Sequence, residues 1–181
     1  MKVLCIGDSN TFGYDPRSYL GEQYPEGVRW TDRLKNREMI NWGINGITIP
    51  QNCSVYIDLI KRKDPDLIIV MLGTNDILEG ASAEETARRM KGFLDSISVT
   101  KSKILLVAPP LLQYGEFVQD DEVIEKSQNL GKLYREVAEK KGCLFADAAE
   151  WGVEISFDGV HFTPEGHAAF AWGLEEILKE L

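Results

Sequence analysis

The chain has 181 residues, enough for the core of one domain, with a hydrophobic fraction of 44% and a charged fraction of 27% that are typical of globular proteins. Its formal net charge of -9 argues against nucleic acid and anionic membranes as partners, because binding to phosphate depends on clustered Lys and Arg. No apolar stretch is long enough to cross a bilayer, and the first ten residues have the pattern of a strand rather than of a secretory signal. We therefore expect a single domain over residues 1–181 in the cytoplasm.

Five short apolar runs predict β-strands. The runs centred on residues 67–70 and 104–107 are continuously hydrophobic, as expected for strands that are buried on both faces of a parallel sheet. In chain order the predicted strands are Lys2–Gly7, Glu38–Trp42, Asp66–Leu72, Lys103–Ala108 and Cys143–Ala146.

Helical patterns lie between these strands. Ser82 followed three residues later by Glu85 is a capping box, Gly142 is a good residue just past a helix end, and Thr163-Pro164 is typical of an N-cap and first helical turn. The predicted helices run from Ser82 to about Ile97, from near Asp120 to Gly142, and from Thr163 toward the end of the chain. The basic run Lys61–Lys63 is typical of a helix carboxyl end.

Strands that alternate with helices predict a three-layer α/β fold with a parallel sheet. In such sheets ligands bind beyond the carboxyl ends of the strands. The polar residues that follow the strands therefore define the predicted site. They are Gly7–Asn10 after the first strand, Asn41–Gly46 after the second, Leu72–Asp76 after the third and Phe157–Phe162 beyond the fifth.

Acyl transfer by serine needs a nucleophile, a base, a group that orients the base, and donors for the oxyanion. Ser9 is the candidate nucleophile, although a plain turn is the alternative at this position. Of the two histidines, His161 follows Asp158 by three residues, so a carboxylate can reach its imidazole. His167 lies inside the last predicted helix without a carboxylate at that offset, and we expect it to be structural.

The candidate oxyanion donors are the backbone N–H groups of Ser9 and Gly43 and the side-chain amide of Asn75. Asn75 taken by itself is more typical of a capped turn than of an oxyanion donor. The three cysteines, Cys5, Cys53 and Cys143, lack the C-x-x-C spacing of a metal site, and the sequence predicts neither a metal nor a cofactor.

Four sequence blocks resemble those of the SGNH hydrolases, the GDSL-type esterase and lipase superfamily. The blocks are Gly7-Asp8-Ser9, Gly43 with Asn45, Gly73-Thr74-Asn75-Asp76, and Asp158 with His161. The resemblance implies a flavodoxin-like three-layer α/β/α fold with five parallel strands in the order 2-1-3-4-5. It also implies Ser9 as nucleophile, His161 as general base and acid, Asp158 as its orienting group, and an oxyanion hole of Ser9, Gly43 and Asn75. Asn10 stands where the family usually has leucine.

The stretches Thr11–Pro16 and Val28–Thr31 resemble the branch of aryl esterases and carbohydrate acetylesterases. This resemblance implies hydrolysis of short acyl esters, above all acetyl esters, of a small molecule or carbohydrate. Trp42 and the loop Pro109–Gln119 are candidates for substrate contacts. Within that loop Leu111, Leu112, Tyr114 and Phe117 either line a pocket or cover the edge of the core.

Other functions remain open at the level of sequence. A lysophospholipase or thioesterase would use the same residues, and a non-catalytic binding module would keep the fold without turnover. A nucleotide- or flavin-binding protein of flavodoxin type is disfavoured because the chain lacks the glycine-rich phosphate-binding motifs. A homo-oligomer is compatible with the resemblance, but the sequence itself does not address the oligomeric state.

Overall fold

Five parallel strands form one sheet in the computed structural model, which describes residues 1–18, 20–98 and 100–181. The strands are β1 (Lys2–Gly7), β2 (Glu38–Gly43), β3 (Leu67–Met71), β4 (Lys103–Ala108) and β5 (Leu144–Asp147). Their order is β2-β1-β3-β4-β5, which confirms the order implied by the resemblance. Each predicted strand boundary lies within one residue of the observed one.

Helices occupy the connections between the strands and the part of the chain that follows β5. They are α1 (Ser9–Phe12), α2 (Trp30–Arg33), α3 (Ser54–Lys63), α4 (Thr74–Leu78), α5 (Ala83–Ile97), α6 (Asp121–Lys141) and α7 (Pro164–Leu178), with a 3-10 helix at Ala148–Trp151. Among the described residues, no helix is both long and apolar enough to span a bilayer.

The ends of the long helices follow the predicted signals. Ser82 Oγ accepts the Glu85 N–H at 3.1 Å and begins α5, but the Glu85 carboxylate pairs with Arg88 and Arg89, so only half of the capping box forms. Gly142 ends α6 with a φ of 66°, a conformation that glycine adopts without strain.

The strand side chains alternate between two apolar cores, one on each face of the sheet. From β1, Leu4 and Ile6 pack with residues of α3, α5 and α6, whereas Val3 and Cys5 pack with residues of α2 and α7. All four are at most 1% exposed. The central strands are therefore apolar on both faces, which explains their continuously hydrophobic sequences.

The parallel register places the ends of β1, β2 and β3 side by side. Gly7 at the end of β1 pairs with Gly43 on one side and with Met71 on the other. The segments that follow these three strands consequently begin next to one another, at the edge of the sheet where the polar blocks of the sequence lie.

Candidate active site

Ser9 lies at the abrupt turn from β1 into α1. Asp8 is the N-cap residue of α1, and its Oδ1 accepts the Asn10 N–H at 3.0 Å. Gly7 leaves room for this turn, because a Cβ at Gly7 would lie 2.0 Å from Thr11 Oγ1. Ser9 is therefore the first helical residue, and the side chains around it leave it 5% exposed.

Asp158 and His161 lie on the segment between the 3-10 helix and α7. Asp158 Oδ1 accepts the backbone N–H groups of Val160 and His161, each at 2.9 Å. The same turn brings Asp158 Oδ2 to 2.6 Å from Nδ1 of His161. The other ring nitrogen, Nε2, lies 3.0 Å from Ser9 Oγ, across a separation of 152 residues in the sequence. The fold thus brings a hydroxyl, an imidazole and a carboxylate into one hydrogen-bonded row.

The row has a definite direction of hydrogen bonding. An ionised carboxylate only accepts hydrogen bonds, so the contact with Asp158 places the ring proton of His161 on Nδ1 and leaves the Nε2 lone pair facing Ser9. Burial raises the pKa of Asp158, but the hydrogen bonds from the His161 ring and from two backbone N–H groups outweigh it, and the pKa lies below the ordinary value of 3.8. Asp158 is therefore ionised at neutral pH, although it is buried.

Asp8, next to Ser9, has the opposite electrostatic behaviour. Burial raises the pKa of its carboxyl group from 3.8 to about 6, and the Asn10 N–H and the nearby His161 offset this only in part. Within the described part of the chain, Asp8 Oδ2 has no hydrogen-bond partner. An ionised Asp8 that caps α1 therefore loses solvation that its hydrogen bonds do not replace. The hydrogen bonds to Asp158 do replace it.

Gly43 ends β2 beside the turn that carries Ser9. A Cβ at Gly43 would lie 2.0 Å from the backbone nitrogen of Phe12, so only glycine lets α1 approach β2 this closely. The Gly43 N–H donates to Asn41 Oδ1 at 2.9 Å. This predicted oxyanion donor thus already has a partner in its own strand.

Asn75 is the second residue of α4, directly after the end of β3. Its Nδ2 donates to the Ile47 carbonyl oxygen at 2.9 Å, and the amide carries a second N–H hydrogen. The neighbouring Asp76 accepts the Ile49 N–H at 2.9 Å and a hydrogen bond from Arg89 at 2.8 Å. These contacts tie α4 to the segment that follows β2, so the Asn75 side chain is held in position.

A cavity of about 340 Å³ opens beside Ser9. Its described lining carries no Asp, Glu, Lys or Arg side chain, and much of it is apolar. The lining residues are Ser9, Tyr14, Asn45, Gly46, Asn75, Leu78, Phe117, Val160 and His161. This volume lies at the small end of the range of about 300–1,000 Å³ for ligand pockets.

The residues that we expected from sequence to contact the substrate are outside the described lining of this cavity. Trp42 is aligned with Ile6 in the sheet, and this half-buried residue packs against the same core. Tyr114 is 62% exposed, and its hydroxyl hydrogen-bonds the Asp121 carboxylate. Leu111 is half-buried and, like those two, is absent from the lining that the structure describes. Substrate contact by Trp42, Leu111 and Tyr114 stays a prediction.

The loop Pro109–Gln119 combines the two roles considered for it. Leu112 is 4% exposed and belongs to the core, whereas Phe117 lines the cavity. The Phe117 ring centroid lies 6.4 Å from that of His161, and the Tyr14 ring centroid lies 4.5 Å from it. Sequence reasoning did not single out Tyr14, although it lies in the stretch Thr11–Pro16 that resembles the esterase branch.

Residues 5–169 match the model of the GDSL-like lipase/acylhydrolase family. The chain belongs to this family. The match includes Ser9, Asn75 and His161, so the row of side chains around the cavity lies within the region that defines the family. The resemblance inferred from the four sequence blocks is confirmed.

Solved structures of esterases share the fold of this chain over nearly its whole length. An aryl esterase from M. smegmatis superposes with a TM-score of 0.88 at 25% identity, covering 99% of both chains. A carbohydrate acetylesterase family member from Sinorhizobium meliloti has a TM-score of 0.86 at 26% identity, covering 99% of this chain and 97% of the other.

The thioesterase 1/protease 1/lysophospholipase L1 of Escherichia coli (strain K12) is 26% identical to this chain over 107 residues, which are 58% of this chain and 49% of that protein. The matched region thus spans about half the length of this curated relative. The similarity agrees with the family but covers a smaller part of the chain than the esterase structures do.

His167 lies in the core and is not among the described residues that line the cavity. It is fully buried between the rings of Tyr24 and Phe162, and its Nδ1 accepts the Trp30 N–H at 3.4 Å. Burial, together with Arg33 and Arg29, lowers its pKa to about 3, so it is neutral. Over residues 1–18, 20–98 and 100–181, no group of three or more His, Cys, Asp or Glu side chains is placed to hold a metal ion.

Proposed function

We propose that this chain is a serine esterase that hydrolyses short-chain esters, above all acetyl esters, of a small molecule or carbohydrate through an acyl-enzyme intermediate. The observation that carries the proposal is the row formed by Ser9, His161 and Asp158. Its two contacts, 3.0 Å from Ser9 Oγ to Nε2 and 2.6 Å from Nδ1 to Asp158, are the geometry that nucleophilic catalysis by serine requires.

In the proposed first half-reaction, Ser9 Oγ attacks the ester carbonyl carbon while His161 Nε2 takes the hydroxyl proton. Asp158, ionised because of its depressed pKa, stabilises the imidazolium that forms. The tetrahedral intermediate collapses when His161 returns the proton to the leaving alcohol, and Ser9 keeps the acyl group. A water molecule, deprotonated by His161, then releases the carboxylic acid and restores Ser9.

The proposed oxyanion hole has three donors of unequal availability. The Ser9 N–H is the first in α1, where backbone N–H groups have no partner within the helix. The Asn75 amide has a second hydrogen besides the one bonded to Ile47. The Gly43 N–H is shared with Asn41, so an oxyanion must compete with that side chain. We therefore assign the larger share of oxyanion binding to Ser9 and Asn75.

Two features support a small, uncharged ester as substrate. The cavity is small, and its lining offers amides and apolar side chains rather than a cationic partner for a charged acyl group. The similarity to a carbohydrate acetylesterase family member over 99% of the chain favours acetyl esters of carbohydrates. Similarity to the thioesterase and lysophospholipase of Escherichia coli supports a second candidate, an acylhydrolase for longer acyl chains at the same site.

The test compares the wild type with Ser9→Ala on p-nitrophenyl esters from acetate to octanoate and on acetylated sugars. We expect Ser9→Ala to unfold at the same temperature as the wild type and to lose activity by roughly 10³- to 10⁶-fold, because the nucleophile is gone. A preference for acetate supports the proposed substrate, and a preference for octanoate supports the second candidate. Ser9→Ala with most of its activity retained would refute both candidates.

A further inference from the structure

Asn10 uses all of its polar groups, although the residue that the family usually has at this position carries none in its side chain. Its backbone N–H donates to Asp8 Oδ1 at 3.0 Å, and its carbonyl oxygen accepts the Trp30 indole N–H at 3.0 Å. Its side-chain Nδ2 donates to the Val160 carbonyl oxygen at 3.1 Å, and its Oδ1 accepts the Phe162 N–H at 3.0 Å.

The two side-chain bonds of Asn10 bracket His161. They reach the residue before it and the residue after it, so one planar amide pairs with the backbone on both sides of the imidazole. Asn10 is 4% exposed, which limits competition from water for these bonds. Leucine at this position has neither a donor nor an acceptor and would leave both backbone groups of the 160–162 segment without this partner.

The other hydrogen bonds of the His161 backbone stay within its own segment. The His161 N–H donates to Asp158 Oδ1, and its carbonyl oxygen accepts the Ser156 N–H at 2.7 Å. These bonds hold the shape of the segment 156–161 but do not connect that segment to α1. In the described part of the chain, the hydrogen bonds between residues 8–13 and 156–163 are the Ser9–His161 contact and the two bonds of Asn10.

We propose that Asn10 is a positioning residue that sets the distance from Ser9 Oγ to His161 Nε2. Asn10 follows Ser9 directly in α1, and its amide is bonded to both neighbours of His161, so a shift of either segment strains two directional bonds. This proposal rests on the proposed esterase function, because it assigns Asn10 to the service of the Ser9–His161 pair. Asn10 acts through the backbone and does not touch the substrate.

The test uses Asn10→Leu, with Ile97→Ala as a matched control for lost stability. Ile97 is fully buried at the end of α5, just before β4 begins, and so lies at the opposite edge of the sheet from Ser9. Thermal unfolding establishes the assay temperature at which both variants are folded. We then measure kcat and KM on p-nitrophenyl acetate and the rate at which a fluorophosphonate labels Ser9.

We expect Asn10→Leu to lower kcat and the labelling rate by about 10- to 100-fold with KM changed by less than about threefold, because a loss of alignment between reacting groups affects the transition state. Ile97→Ala should match the wild type in all three values. Asn10→Leu with wild-type kcat and labelling rate would overturn the proposal. A wild type that neither hydrolyses esters nor labels at Ser9 overturns the esterase function, and the role of Asn10 with it.

The pH dependence of kcat in Asn10→Asp distinguishes a positioning role from a merely structural one. A protonated carboxyl group can donate one hydrogen bond and accept another, as the Asn10 amide does here, whereas a carboxylate cannot donate to the Val160 carbonyl oxygen. The nearby ionisable groups Asp8, Asp158, His161 and His167 are common to both proteins. We therefore expect the ratio of kcat between Asn10→Asp and wild type to rise at least several-fold as pH falls, and a ratio that stays constant between about pH 5 and 8 would overturn the proposal.

Discussion

The two sides of the cavity are held in place in different ways. On the inner side, Ser9, Asp158 and His161 are joined by directional hydrogen bonds of 2.6 to 3.0 Å and are largely buried. On the outer side, Phe117 contributes a ring that is 59% exposed and packs beside His161 through apolar contact. Hydrogen bonds have a narrow optimum in distance and angle, whereas apolar contacts are tolerant of both. We infer that the inner side determines the chemistry and that the outer side determines which ester fits.

Asp158→Asn should have the largest effect, because it changes the inner side without changing its shape. The asparagine carbonyl can still accept the backbone N–H groups of Val160 and His161. Its NH₂ group, however, donates to His161 Nδ1 and moves the ring proton to Nε2, where it blocks transfer from Ser9. We expect kcat on p-nitrophenyl acetate to fall by about 10³- to 10⁴-fold.

The control for this change is Asp120→Asn. Asp120 caps α6 by accepting the Glu122 N–H at 2.9 Å, the same kind of contact as Asp158 makes with its own segment, but away from the cavity. The Asp120→Asn variant should therefore have the same kcat as the wild type. If Asp158→Asn retained kcat within about threefold of the wild type, the inner side would not work as proposed.

Asp8→Asn should have an intermediate effect, on stability rather than on rate. Because the folded-state pKa of Asp8 is about 6 against 3.8 for an unburied group, the folded protein binds more protons than the unfolded chain between these values. The free energy of unfolding therefore falls as pH rises through this range, by up to about 3 kcal/mol. Asparagine at position 8 can still accept the Asn10 N–H and carries no charge. The decrease in the free energy of unfolding with rising pH should therefore disappear in Asp8→Asn.

Urea unfolding of Asp8→Asn and wild type from about pH 4 to 7 measures the difference. The two proteins should be similar in stability near pH 4, and the variant should become the more stable one as pH rises. Asp158, whose pKa is depressed, contributes equally to both proteins and cancels. A difference in stability that does not change with pH would mean that the carboxyl group of Asp8 is better solvated than its burial indicates.

Phe117→Ala should have the smallest effect and should depend on the substrate. Loss of its ring removes apolar contact beside His161, worth about 1 kcal/mol for an aromatic leaving group. We expect kcat/KM for p-nitrophenyl acetate to fall about five- to tenfold and that for methyl acetate to change less. Phe157→Ala is the matched control, because Phe157 is also 59% exposed but does not line the cavity. Equal effects of both variants on both esters would contradict the role of the outer side.

Sequence patterns predicted the sheet and the long helices well. The apolar runs that became β3 and β4 are long enough, and Gly142 and Thr163-Pro164 distinctive enough, to mark those elements without further information. The short helices α1, α2 and α4 were not predicted, since four or five residues do not show a helical period. The single-domain organisation over residues 1–181 stays a prediction.

The candidate site was predicted unevenly. Ser9, His161 and Asp158 stood out because the chain has few histidines and because four motifs resemble one family. The residues of the outer side did not stand out in the sequence, because an aromatic residue next to a cavity has the same local sequence pattern as an aromatic residue in a core. Trp42 and Tyr114 were therefore expected in the cavity, while Tyr14 was not.

The sequence by itself determined the strands, the family and the residues able to carry acyl-transfer chemistry, because these depend on residue type and on local spacing. The tertiary structure alone decided which side chains meet partners across long separations: Asn10 with both neighbours of His161, Phe117 with the imidazole, and Asn75 with the Ile47 carbonyl oxygen. Such contacts depend on distances of a few ångströms between segments, and those distances follow from the packing of the whole chain rather than from any short stretch of it.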